Sequence, residues 1–183
     1  ELTRTQEEVK RVEQERSALQ AKVSASDDKQ KGELQQATDL GQKVEGALSK
    51  RIKQHWATVV TADNNVTVRI PTSILFAPNS LTVTKHGGPF LCEVVTALGS
   101  GTFTVAAHTA AAEVNAALAK TYATPWDLTA AQSAAVAMNL IDQCKVEAAR
   151  VSAEAHADSQ PLSGAKPAEN ARIELSLHIT AKQ

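Results

Sequence analysis

His108 and Thr109 close the stretch G-T-F-T-V-A-A-H-T, residues 101–109. Phe103 and Val105 alternate with Thr102 and Thr104, which predicts a half-buried strand ending in a polar pair. A helix is predicted to start near Thr129, where Thr129-x-x-Gln132 has the pattern of a capping box. A strand that ends in polar residues opposite a helix start is where small α/β domains keep ligands. Three side chains there could do chemistry. His108 could be a ligand or a general base, Gln132 a partner for a carboxylate, and Arg172, farther along, an anion binder. Each also has a structural reading. No carboxylate is near His108 in sequence to orient it, Gln132 suffices as the third residue of the cap, and a lone strand arginine is usually a solvated face. Trp126 reads as core packing at the helix entrance. His156 and His178 fall on outward strand faces without metal spacing. Ser73 and Ser133 lack a G-x-S-x-G context. No catalytic constellation, metal site or cofactor site emerges, so the chain is not expected to be an enzyme.

Cys92 and Cys144 fit no metal-ligand spacing. Both lie in or at the end of apolar helical stretches, so two buried thiols are the preferred expectation and a disulfide the alternative. The 183 residues carry a formal net charge of −1 and only 3% aromatics. That gives no electrostatic footprint and no stacking surface for nucleic acid. There is no apolar run of about 18 residues to span a membrane. The sequence opens inside a charged helical pattern and reads as a fragment whose membrane tether lies upstream.

Residues 1–58 contain no proline and are rich in Glu, Lys, Gln and Ala. With Leu2 at heptad position a, Val9, Val12, Leu19 and Val23 fall on an a/d stripe. Ala37, Leu40, Val44 and Ala47 resume it after Ser26, Gln30 and Glu33 interrupt it. This predicts a helical stalk that pairs with a second copy, since a lone helix with a thin apolar stripe is unstable; a frayed, partly disordered stalk is the alternative, given the polar middle and the Ser24–Asp28 cluster. A second domain is expected over 59–183. Asp63-Asn64-Asn65 signals a turn, and Val66, Val68 and Ile70 alternate as a strand up to Pro71. Residues 73–76 read as extended and 84–98 as a helix ended by Gly99. Residues 110–120 read as an Ala-rich helical insertion, 129–144 as the main helix, and 151–156 as a strand. A loop over 158–169 leads to the clearest strand, where Ile173, Leu175, Leu177 and Ile179 alternate with polar residues. The order is a long helix, then β-α-β-(α)-α-β-β. This is an α+β fold with a small mixed sheet and helices on one face, in which the 129–144 helix is a crossover. The last two strands are expected to pair antiparallel.

Five pieces in this order resemble the OmpA-like C-terminal domain family, of the peptidoglycan-binding type. They are V-R-I-P-T-S-I-L-F-A-P-N-S at 68–80, A-H-T at 107–109, W-D-L-T-A-A-Q-S-A-A-V at 126–136, the following proline-containing loop, and N-A-R-I-E-L at 170–175. The resemblance implies a groove that holds the zwitterionic end of a diaminopimelate-type cell-wall peptide. An acidic group would take the ammonium and a guanidinium the carboxylate. It also implies that the groove positions here are Ala110, Pro125, Gln132 and Ala171, none of them charged. The neighbours His108, Thr109, Asn170 and Arg172 are retained, with His108 at a structural position.

The resulting expectation is a non-catalytic OmpA-like module on a helical stalk that has lost ordinary peptidoglycan binding. It would act as a scaffold or interaction domain in the periplasm of a Gram-negative bacterium, with a protein or a modified cell wall as partner. The alternative is a cell-wall anchor that still binds through non-standard groups such as Asn170, Arg172 and backbone amides near residues 109–111.

Overall fold

The computed structural model describes residues 2–110, 114, 116–162, 164 and 167–179. Helix α1 runs Leu2–Ala47 and is followed after Leu48 by a short α2, Ser49–Lys53. The apolar stripe of α1 has two fates. Val9, Val12, Leu19 and Val23 remain exposed, whereas Ala37 and Val44, with Leu48 just beyond the helix, are buried in the same core as the sheet. Gly41 permits this docking, because a Cβ there would collide with the Thr61 hydroxyl. Arg51 of α2 then clamps the helical layer. Its guanidinium donates to both carboxylate oxygens of Glu93, at 2.8 and 2.6 Å, and lies over the Trp56 ring.

Five strands form one sheet in the order β1-β2-β5-β3-β4. Strands β1 (Thr58–Ala62) and β2 (Asn65–Pro71) form an antiparallel hairpin around the expected Asp63-Asn64 turn, with Asp63 at φ 52°. β1 escapes the sequence pattern because it is an edge strand with no buried residue to mark its period. Strand β3 (Phe103–His108) lies parallel to β4 (Val151–Ala157), as the crossover predicted. Strand β5 (Arg172–His178) enters between β2 and β3, antiparallel to both. The expected pairing of the last two strands is therefore wrong: β3 lies between β4 and β5. A short loop suggested a hairpin, but the alternating apolar face of β5 gains burial on both sides in the middle of the sheet.

Other expectations are also corrected. Residues 72–75 form one helical turn, α3, rather than extended chain. Its start is held by Ala171, whose carbonyl accepts from the Thr72 amide and hydroxyl. Helix α4 spans Gly87–Leu98 and ends at Gly99, whose φ of 84° suits glycine. Residues 116–121 form turns and not a helix; residues 111–113 and 115 of the Ala-rich segment lie outside the described residues. An alanine run without an apolar face to bury has little to hold it helical. Helix α5 starts at Pro125, four residues before the predicted Thr129. The Thr124 hydroxyl accepts from the Asp127 amide at 3.2 Å, and the Asp127 carboxylate accepts from the Thr124 amide at 2.9 Å. Proline at the first helical position favours this earlier box over the Thr129 one. Cys92 and Cys144 are joined in a disulfide that ties α4 to the turn after α5, which overturns the buried-thiol expectation.

One core holds the molecule together. Val66, Val68 and Ile70 of β2, Ile173, Leu175 and Leu177 of β5, and Phe103, Val105 and Ala107 of β3 face the helices. Phe90, Leu91, Val94 and Leu98 of α4 and Val136 and Leu140 of α5 cover them. The opposite sheet face carries Thr67, Arg69, Thr104, Glu174 and Ser176 and is where the site lies.

Candidate functional site

Cross-strand register assembles a polar cluster on that open face. Arg69 lies opposite Glu174, Glu174 opposite Ala106, and His108 opposite Arg172. The Glu174 carboxylate accepts from Arg69 Nε at 3.0 Å and from Arg172 Nε at 2.7 Å. Arg172 is spent further. Nη1 donates to the Asn170 carbonyl at 3.3 Å and Nη2 to the Gln160 carbonyl at 3.2 Å. With only 5% of its surface exposed, it is a buried ion-pair partner and not the solvated strand residue expected from sequence. It pins the 158–171 loop to the sheet. The Asn170 side chain ties the loop to itself, its oxygen accepting from the Leu162 amide at 2.7 Å.

His108 is 2% exposed, and its ring stacks on that of His156 at 4.9 Å. A β-bulge makes this contact. Ala107 pairs with Ala155 and His108 with Ala157, so His156 is the extra residue and Ala157 takes φ 47°. Glu174 Oε2 is 3.9 Å from His108 Nε2, too far for a hydrogen bond. Neither ring nitrogen has a hydrogen-bond partner among the described residues. Burial, reinforced by the positive Arg172, pushes the His108 pKa down to about 4. Burial alone would raise the Glu174 pKa, but the Arg172 hydrogen bond and the two guanidinium charges outweigh it and hold the carboxyl below its ordinary range. The cluster is therefore a neutral histidine beside a carboxylate locked between two arginines.

The pH consequence has a definite sign. The unfolded chain, with His108 near 6.5, binds a proton that the folded chain refuses until about pH 4. Stability is full above pH 6.5 and falls as pH drops toward 4. Denaturant unfolding should show a loss of about 2 kcal/mol between pH 7 and pH 5 that the His108→Gln variant lacks. Glu174, with a lowered pKa, adds a loss of the same sign at more acid pH.

Among the positions predicted around the groove, Thr109 is joined to α5 through Ala157. The Thr109 amide donates to its carbonyl at 2.8 Å, and its own amide donates to the Thr129 hydroxyl at 3.3 Å. The end of β3 thus meets the first turns of α5 through one residue. Thr109 and Ala110 are buried there. Gln132, one turn beyond Thr129, is not a capping residue; it is 8% exposed, and its Oε1 has no hydrogen-bond partner among the described residues. Pro125 is the first residue of α5. Ala171, at the start of β5, is held by Thr72. Trp126 is 52% exposed and packs in no core. Arg69 and Glu174 were not singled out from sequence, and His156 was read only as an outward-facing strand residue. Alternation assigned Arg69 and Glu174 to a polar face but could not say which polar residues would be neighbours. Among the described residues no group of His, Cys, Asp and Glu could hold a metal ion.

No family model matches the sequence, and no curated protein matches it either. Solved structures do. The cell wall anchor of the T6SS from Pseudomonas aeruginosa is 25% identical with a TM-score of 0.65, over 74% of this chain and 96% of that one. A MotB-like protein from Desulfovibrio vulgaris is 17% identical with a TM-score of 0.71, over 82% and 98%. The periplasmic domain of Helicobacter pylori MotB is 18% identical with a TM-score of 0.57, over 68% and 80%.

Proposed function

The chain has the OmpA-like fold, and on that premise we propose that it is a non-catalytic module of the bacterial cell envelope that no longer holds the ordinary diaminopimelate-type peptide. It works as a periplasmic scaffold or interaction domain in a Gram-negative bacterium. It is tethered to a membrane upstream, pairs with a second copy through α1, and docks a protein or a modified wall. The likeness to a cell wall anchor and to MotB periplasmic domains supports the envelope setting. So does the disulfide, a bond typical of oxidising compartments. No helix among the described residues is long and apolar enough to cross a membrane.

One observation carries the loss of binding. The groove positions that need charge hold Ala110 and Gln132, and the nearby Arg172 and Asn170 side chains are committed to the 158–171 loop and Glu174. Without a bidentate arginine the carboxylate contact loses about 3 kcal/mol, roughly a hundredfold in affinity. Isolated diaminopimelate-type peptidoglycan should not pull the protein down saturably, and Ala110→Asp with Gln132→Arg should introduce binding. Saturable retention of the unmodified protein would refute the proposal.

The second reading, a wall anchor that binds by non-standard groups, is favoured by the likeness to a cell wall anchor. It predicts wall retention that Arg172→Ala abolishes.

A further inference from the structure

Two arginines share one carboxylate on the open sheet face. Among the described residues, Glu174 is the acid that pairs with Arg69 and with Arg172, and no other pairs with either. His108 beside them is neutral at pH 7. One positive charge is therefore left over where water is scarce, since Arg172 is 5% exposed and Arg69 about one-third.

The surplus falls on Arg69. All three nitrogens of the Arg172 guanidinium are engaged, with Glu174 and with the Asn170 and Gln160 carbonyls. Arg69 uses Nε alone, toward Glu174. Its two Nη atoms have no hydrogen-bond partner among the described residues. Strand register sets Arg69 between Thr58 of β1 and Glu174 of β5, so the side chain lies between an exposed hydroxyl and its counter-ion. A cavity of about 230 Å³ opens beside it. Arg69, Arg172 and Thr58 give the cavity a polar side, and Ile70, Pro71 and Leu162 an apolar one. Glu169 stands on its exposed rim and is already engaged.

That lining selects a ligand class. The end of a guanidinium matches a planar anion with two oxygens, and the apolar side takes the carbon atoms next to it. Inorganic phosphate would leave the apolar side uncovered. A neutral amide would leave the charge unanswered. Both chemistries meet at the end of a peptide, where a carboxylate follows a single side chain. We propose that this cavity binds the C-terminal carboxylate of a peptide, with Arg69 as its main partner and a small apolar last residue against Pro71 and Leu162. The cavity lies across β5 from Ala110 and Gln132, and its ligand class does not depend on whether that groove is empty.

Titration of the isotope-labelled full chain with sodium propanoate, followed by NMR, should move the amide signals of Thr58, Arg69, Ile70 and Leu162 saturably. The expected dissociation constant is on the order of 1 mM. Propanamide, which has the same shape without the charge, should leave them in place. Arg69→Gln should weaken propanoate binding about tenfold or more. Arg69 also pairs with Glu174, so a second variant leaves it untouched. Thr58→Asp, at an exposed position opposite Arg69, puts a carboxylate next to the free Nη atoms, and propanoate should no longer bind. N-acetyl-L-alanine and N-acetyl-D-alanine then separate the sources. Tighter binding of the L-form assigns the cavity to a protein partner, as an emptied groove favours. Tighter binding of the D-form assigns it to a wall peptide; the carboxylate site then stands, and the loss of wall binding does not. Absence of saturable binding, an equal response to propanamide, or binding that both variants leave unchanged would overturn the proposal.

Discussion

Replacing Cys92 and Cys144 by serine should lower the unfolding free energy by about 4 kcal/mol. The bond closes a loop of 52 residues, which holds the end of α4, β3 and all of α5. Without it the unfolded chain regains the conformations that closure removed. The native state loses little packing, because both sulfurs are at half-buried positions where a serine hydroxyl can reach water. The melting temperature should fall by about 10 °C. Guanidinium unfolding of the double variant beside the oxidised parent measures the loss, and reducing the parent should reproduce it. Agreement of all three curves would mean that the bond constrains nothing that folding has not already ordered.

Glu174→Gln should cost about 3 kcal/mol or more, although the two side chains have nearly the same shape. The carboxylate is the shared counter-charge of Arg69 and Arg172. Arg69 is about one-third exposed and can turn to water, but Arg172 is buried and cannot. Its guanidinium would stay inside with two carbonyl partners and no anion. The cost is therefore that of a stranded charge rather than the net value of an ion pair. Removing both, as Arg172→Met with Glu174→Met, should cost less than the single change. Urea unfolding of the three variants decides it. A single variant as stable as the parent would show that solvent reaches Arg172.

The fold was readable where burial imposes a period. Ile173, Leu175 and Leu177 alternate because one face of β5 is fully buried, and Val66, Val68 and Ile70 do so for the same reason. The edge strand β1 lacks that pressure and went unseen. The Thr129 cap reading overlooked Pro125, which marks the earlier helix start after Thr124. The disulfide depended on a distance across 52 residues that no local pattern contains. In the candidate site, His108, Thr109 and Arg172 were legible as residues, but the burial of Arg172 was not. Arg172 is buried because β5 lies between β2 and β3, a pairing that periodicity does not specify. Glu174 and Arg69 became a cluster through the same insertion.

That insertion has a kinetic side. β5 is the last strand in sequence and the middle one in the sheet. Until it is synthesised, the β1–β2 hairpin and the β3-α5-β4 crossover share no hydrogen-bonded border. Each half then exposes an apolar face and an unpaired strand edge, the features through which chains aggregate. Joining them closes loops of roughly a hundred residues, from β2 to β5, in one late step, which slows folding relative to a helix bundle of this size. A chain emerging from its N-terminus thus stays open until its final segment arrives.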